Sequence, residues 1–266
     1  MDLTLAQALE TAEREYLCAR VENLLQRADN PYGARVFQHQ GMACFHVKGC
    51  ASPMLNRVYA DPALAPDTTV ALLKADAEGT SVWPHIAKTA AFAPRLSVGE
   101  AQLERLKGWT HLQLSCPLEQ AITHPHGFII ETVSGGDLSE FAAVHEAGFR
   151  ADPARAAVNL ASFSGLVANE RLTLYVAWLD GERVAGAALY SASNGIAYLG
   201  TAATCKHARG QGLHQALITH RIEQARAMGC QRVAATTLAN AQSRRNLQRA
   251  GMIVSHAQAL YRLAHP

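Results

Sequence analysis

Hydrophobic positions along the chain follow a helical rhythm at first and a strand-like one soon after. Leu5, Leu9, Ala12, Tyr16 and Ala19 recur at helical spacing, closed by Leu24 and Leu25, with Glu10, Glu13 and Arg14 on the polar side. This predicts one long helix over 3–26, with Asp2 as a candidate cap, broken by Asp29-Asn30-Pro31-Tyr32-Gly33. Apolar stretches at 34–39 and 42–47 flank Gln40-Gly41 and read as a hairpin, and 56–59 reads as a further strand. A helix near 67–77, a strand at 81–86, a helix over 98–107 and a strand at 110–114 complete the first half.

Two prolines and weak periodicity over 116–127 mark a junction, which divides the chain into 1–120 and 127–266. Beyond it the pattern predicts a strand at 128–133, a helix at 137–147 capped by Ser134 or Asp137, and a helix at 153–168 with Pro153 in its first turn. Strands at 172–179 and 183–190 meet at Asp180-Gly181, a strong hairpin signal, and Asn194-Gly195 leads into a strand over 195–201. Leu213, Leu217, Ile218, Ile222 and Ala225 then lie on one helix, stopped by Gly229, and strands follow at 232–238 and 253–263 with a helix between them. Alternating strands and helices define a mixed α/β (α+β) protein. The first half closes a helix with Leu106-Lys107-Gly108-Trp109 as the second does with Arg249-Ala250-Gly251-Met252, which suggests duplication. An unrelated α/β domain that shapes a substrate cleft is the other reading of the first half.

Composition narrows the class. With 266 residues, 49% hydrophobic and 17% charged, and a net charge of +2, the chain reads as globular and offers no nucleic-acid surface; Arg244-Arg245 is too short to matter. The chain opens directly on an amphipathic pattern, with no leader and no apolar run near the ~18 residues of a membrane span, so a cytoplasmic protein without membrane contact is expected. Cys18, Cys44, Cys50, Cys116, Cys205 and Cys230 never form Cys-x-x-Cys, which favours reduced thiols, and no metal is expected. His124-Pro125-His126 could chelate, but reads better as Pro-bounded linker.

The chemistry gathers at Arg209-Gly210-Gln211-Gly212, between a strand and a helix. The first amides of a helix lack partners, its dipole leaves positive charge there, and glycines admit close approach, so a phosphate is the natural guest. A Walker loop would need Gly-Lys-Ser/Thr where Gly212-Leu213-His214 stands, and a dinucleotide fingerprint would need Gly or Ala where Gln215 stands.

The stretch His207-Ala208-Arg209-Gly210-Gln211-Gly212 resembles the acetyl-CoA turn Gln/Arg-x-x-Gly-x-Gly/Ala of the GNAT acetyltransferases. The later stretch from Asn240 through Ser243, Asn246 and Arg249 to Gly251-Met252 resembles that family's Asn-x-x-Ser/Ala helix ending in Gly-Phe. The resemblance implies a C-terminal GNAT fold with a smaller or degenerate GNAT-like N-terminal lobe, which lacks any glycine turn between Val47 and Ala77. It implies an N-acetyltransferase that moves acetyl from acetyl-CoA to a primary amine of a small molecule by direct attack. A non-catalytic acyl-CoA-binding regulatory module and an acyltransferase using a longer acyl-CoA remain open, as does a homodimer.

On this reading Arg209, Gly210, Gln211, Gly212, Leu213 and His214 hold the CoA pyrophosphate, while the backbone of Ala203, Thr204 and Cys205 pairs with the pantetheine arm. An amide there would face the thioester carbonyl, as an oxyanion donor. Asn240 and Ser243 flank the pantetheine and the departing sulfur, and Asn246 and Arg249 reach the phosphates or the adenine edge, or form a solvated helix face. Cys205 as a nucleophile is set aside, because the sequence shows no His-Asp partner. His207 departs from the Gln/Arg of the pattern. Leu247 stands where many relatives carry a tyrosine that protonates the thiolate; Tyr198, Tyr261 and His256 are the possible substitutes. No carboxylate occupies 195–201, so the general base is unassigned, with Glu131 and Glu146 candidates only if the fold brings them near.

Overall fold

The computed structural model describes residues 3–39, 42–48, 50, 52–59, 83–87, 92–149, 153–166 and 169–264. The opening pattern forms helix α1 (Leu3–Leu25), and a small antiparallel sheet follows from β1 (Ala34–His39), β2 (Met42–Val47) and β3 (Arg57–Tyr59). Then come β4 (Trp83–Ala87), β5 (Arg95–Val98), β6 (Ala101–Pro117) and β7 (Ile130–Thr132). Helices α2 (Leu138–Phe149) and α3 (Pro153–Ser164) lead into β8 (Leu172–Leu179), β9 (Glu182–Ser191), β10 (Ile196–Tyr198) and β11 (Ala202–Thr204). The chain ends with α4 (Leu213–Ala227), β12 (Arg232–Leu238), α5 (Gln242–Arg249) and β13 (Ile253–Leu263). The cap expected at Asp2 and the helix expected over 67–77 lie outside the described residues.

One ten-stranded sheet organises these elements, in the order β4-β13-β6-β12-β10-β9-β8-β7 with β11 on β9 and β5 on β6. Its pairs are antiparallel except β10 with β12, which run parallel. Leu9, Leu17, Val21 and Leu24 of α1 pack with Val158 and Phe163 of α3 in one core, and Leu213, Leu217, Ile218 and Ile222 of α4 pack with Leu247 of α5 in another.

Residues 98–107, read from sequence as a helix, are strand. β5 and β6 form a hairpin through Gly99-Glu100, and β6 pairs with β12 on one edge and β13 on the other. Within 98–107 the ladders are those of β5 on residues 101–104 and of β13 on residues 103–105, and pairing of this kind outweighs local propensity. Gly108 therefore lies within β6 and not at a helix end, so the likeness to Gly251 is one of sequence alone. The long β6 sits between β12 and β13, so strands from both sides of residue 120 share the sheet.

Candidate active site

Helix α4 opens on Gly212, whose φ of 95° is left-handed and which offers no side-chain cap. Gly210 is left-handed as well, at 84°. The turn thus leaves the first α4 amides without a side-chain partner, in a backbone shape that glycine alone adopts without strain. Arg209 braces it, donating from Nε to Thr204 O (3.1 Å) and from Nη2 to Gly148 O (2.8 Å).

An outer groove of about 760 Å³ runs over this turn. Of the residues expected at the site, Ala203, Thr204, Arg209, Gly210, Gly212, Leu213, His214, Ser243 and Asn246 line it together. Gln211 and Asn240 are exposed outside its lining, and Cys205 is buried beneath β11 with its thiol pKa raised by burial. Arg249 and Gln215 line the groove too; both amide atoms of Gln215 are buried without a hydrogen-bond partner. Asn246 Nδ2 donates to His214 Nδ1 at 2.8 Å, so a neutral His214 carries its proton on Nε2. Burial and nearby Arg221 push the His214 pKa down to about 4.

Behind the groove the sheet forks. The parallel ladder between β10 and β12 covers only Ile196 to Tyr198 against Arg232 to Ala234, and Leu199 N–H to Ala234 O (2.8 Å) follows it. β11 then stays with β9 while β12 stays with β6. A bulge opens the fork: Ala188 N–H is shared by Gly200 O (3.2 Å) and Thr201 O (3.0 Å), and Thr201 is left-handed with φ 26°. Arg221 clamps the bulge, its Nη1 donating to Ala188 O (2.9 Å) and Gly200 O (3.1 Å). From the other side Tyr16 donates to Thr201 Oγ1 at 2.8 Å. Any Cβ on Gly200 would meet the Tyr16 ring at 2.5 Å, so glycine is what allows α1 to seat here.

The fork encloses an inner cavity of about 560 Å³. Its walls come from across the chain: Tyr16 and Arg20 of α1, His111 of β6, His145 of α2, Asn159 of α3, Tyr198 of β10, Thr236 of β12, and Ser243 and Leu247 of α5. Phe149, Ala202, His214, Ala241 and Ser243 line both cavities, so the two adjoin.

A buried polar cluster lies against this wall. Glu13 is fully buried and accepts from Arg57 Nη1 (3.2 Å), Gln113 Nε2 (3.0 Å) and Gln258 Nε2 (3.3 Å). The Tyr198 hydroxyl lies 2.9 Å from Thr236 Oγ1 and 3.5 Å from Glu13 Oε1, and burial together with Glu13 drives its pKa well up. It stands there as a neutral phenol. Burial and Arg57 lower His111 to about 4, and burial with Arg20 and Arg155 lowers His145 to about 3. Both are therefore uncharged at neutral pH, able to accept a proton but not to hold one strongly.

Of the groups weighed for acid and base roles, Tyr198 reaches the inner cavity. Tyr261 instead donates to Ala93 O (2.8 Å), and Glu131 accepts from Trp178 Nε1 (2.8 Å) on the exposed β7 edge. Neither Glu146 nor His256 belongs to the lining of either cavity. No motif or spacing singles out Tyr16, Arg20, His111, His145 or Asn159, because each looks like an ordinary helix or strand residue in its own segment. Among the described residues no cluster of His, Cys, Asp and Glu could hold a metal ion, and no helix is long and apolar enough to cross a membrane.

A mixed sheet forked at one parallel pair, with a glycine turn feeding a helix beside the fork, frames the site. Residues 140–252 match the acetyltransferase (GNAT) family. No curated protein matches the sequence. Among solved structures the chain is similar to a GCN5-related N-acetyltransferase from Kribbella flavida, at 16% identity over 96% of each chain with a TM-score of 0.64. It is also similar to a tandem GNAT protein from the clavulanic acid biosynthesis pathway, at 13% identity over 100% of this chain and 96% of that one, TM-score 0.62. A GCN5-related N-acetyltransferase from Sphaerobacter thermophilus is similar at 14% identity, over 85% of this chain and 81% of that one, TM-score 0.56. These likenesses extend the shared fold beyond the matched domain to the first half of the chain.

Proposed function

We propose that the protein transfers acetyl from acetyl-CoA to a primary amine of a small molecule by direct attack. The observation that carries this reading is the adjacency of the two cavities, which sets the proposed phosphate-binding turn beside a second chamber. The pyrophosphate would rest on the amides after Gly210 and Gly212, and the pantetheine would follow the open edge of β11 into the fork. The amine would attack the thioester carbon from the inner cavity, the C–S bond would break, and CoA would leave as a thiolate. A thiol pKa of about 8.5 makes that departure tolerable where Leu247 offers no proton. Residues 127–266 are read as the acyltransferase domain and residues 1–120 as a lobe that walls the acceptor chamber.

A second reading is a non-catalytic acyl-CoA-binding module, favoured by Leu247 and by the lack of a carboxylate among the described residues that line the inner cavity. Titration calorimetry with acetyl-CoA, CoA and a longer acyl-CoA, followed by thiol release across an amine panel, separates the two. Amine-dependent release is expected. Binding with no release from any amine would transfer the assignment to the module, and tighter binding of the longer thioester would change the acyl group.

A further inference from the structure

The inner cavity contains positive charge without its counterpart. Arg20 is 3% exposed, yet its guanidinium meets only neutral groups: Ser162 Oγ from Nε (3.2 Å) and from Nη2 (2.9 Å), and Asn159 Oδ1 from Nη2 (3.0 Å). Its Cζ lies 4.2 Å from the centre of the Phe163 ring. Arg221, 1% exposed, donates only to the carbonyls of Leu217, Ala188 and Gly200. Among the described residues no carboxylate pairs with either, and Arg155 lines the same cavity. A buried guanidinium without an anion is expensive, so its retention beside an open cavity calls for an explanation.

Two unfilled hydrogen-bonding atoms stand beside it. Asn159 Nδ2 is buried with no partner among the described residues, and the bond from Arg20 to Oδ1 fixes which end of the amide that is. His145 Nδ1 is likewise buried and unpartnered, and the His145 ring lies 6.3 Å from the same Phe163 ring that carries Arg20. A guanidinium, an amide donor and an imidazole around one space form a receptor for oxygen anions.

We infer that the acceptor is an amine that also carries an anionic group, a carboxylate or a phosphate, which pairs with Arg20 and takes the free hydrogen bond of Asn159. This rests on the proposed amine acyl transfer and names the class of its acceptor. It also bears on the unassigned general base. Cations close to a bound ammonium disfavour its charged form, so Arg20 and Arg221 would help the amine lose its proton before it attacks. An amine without an anionic group would be repelled by the same field.

The test uses the full-length protein with acetyl-CoA and matched amines: the amino acids against their decarboxylated counterparts, and phosphoethanolamine against ethanolamine. Anionic amines should exceed their neutral partners at least tenfold in kcat/KM, and the two arms decide between carboxylate and phosphate. Equal rates for neutral partners would overturn the inference while leaving acyl transfer intact. If no amine releases thiol, calorimetry of the same amines reads the anion site directly, and the absence of any anionic binder overturns it. Asn159→Asp supplies an internal anion, since its Oδ1 can accept the same bond from Arg20. The variant should melt no lower than the wild type, raise KM for anionic amines at least tenfold and narrow their advantage over the neutral amines. An unchanged KM for anionic amines would also sink the inference.

Discussion

The outer groove and the inner cavity meet at Phe149 and His214 but draw on different parts of the chain. Backbone makes the groove: the glycine turn, the bare start of α4 and the free edge of β11 lie within a few residues of one another. Side chains make the cavity, delivered by α1, β6, α2, α3, β10, β12 and α5. A site that binds the common half of a reaction can be local and backbone-built. A site that chooses the variable half is assembled from distant side chains, which change without disturbing the turn.

Acid should break the inner region first. His111 and His145 have native pKa values of about 4 and about 3, below the ordinary 6.5, so the unfolded chain binds protons more readily than the native one. Their contribution to stability is complete above pH 6.5 and declines as pH falls, toward 4 for His111 and 3 for His145, at about 1.4 kcal/mol per pH unit for each group, or about 3 kcal/mol for His111 and about 5 kcal/mol for His145 when complete. Denaturant titrations from pH 7.5 to 4 should show that slope, and a flat profile from 7 to 5 would contradict the neutral burial of both rings.

Glu13→Ala attacks the same region from below. It leaves Arg57 buried without its carboxylate, and both side chains of that pair are 0% exposed. A loss of about 3–5 kcal/mol is expected in urea unfolding. A loss under 1 kcal/mol would mean that the cluster relaxes or admits water.

Gly210→Glu works on the other side of the comparison. A carboxylate in the proposed pyrophosphate turn should weaken CoA at least a hundredfold by calorimetry, about 2.7 kcal/mol. The left-handed backbone at 84° adds a folding cost of about 1–2 kcal/mol. Unchanged affinity would remove the groove from the assignment.

Leu247→Tyr should have the smallest effect and probes the boundary between the two regions. Leu247 is buried and lines the inner cavity, where there is room for a phenol. Turnover should be unchanged or higher, with a stability loss of about 1 kcal/mol from tighter packing. A large fall in kcat would show that Leu247 packs against the acceptor.

What the sequence determined by itself was what neighbouring residues settle among themselves. The 3.6-residue rhythm made α1 and α4, Asp180-Gly181 made the β8 to β9 hairpin, and two glycines made the turn at the head of α4. Each depends on local torsions and on the hydrogen bonds of a single segment. Tertiary structure decided the rest. Residues 98–107 became strand because β5 folds back on residues 101–104 and β13, more than a hundred residues later in the chain, pairs with residues 103–105. The strand expected over 195–201 stopped at Tyr198, and pairing resumed at Ala202, because β9 runs beside both β10 and β11 while β12 departs along β6. Arg20, Asn159 and His145 became neighbours only when α1, α3 and α2 packed together. Pairings between distant segments leave no period or spacing in the sequence, since their free energy appears only once the chain has closed on itself.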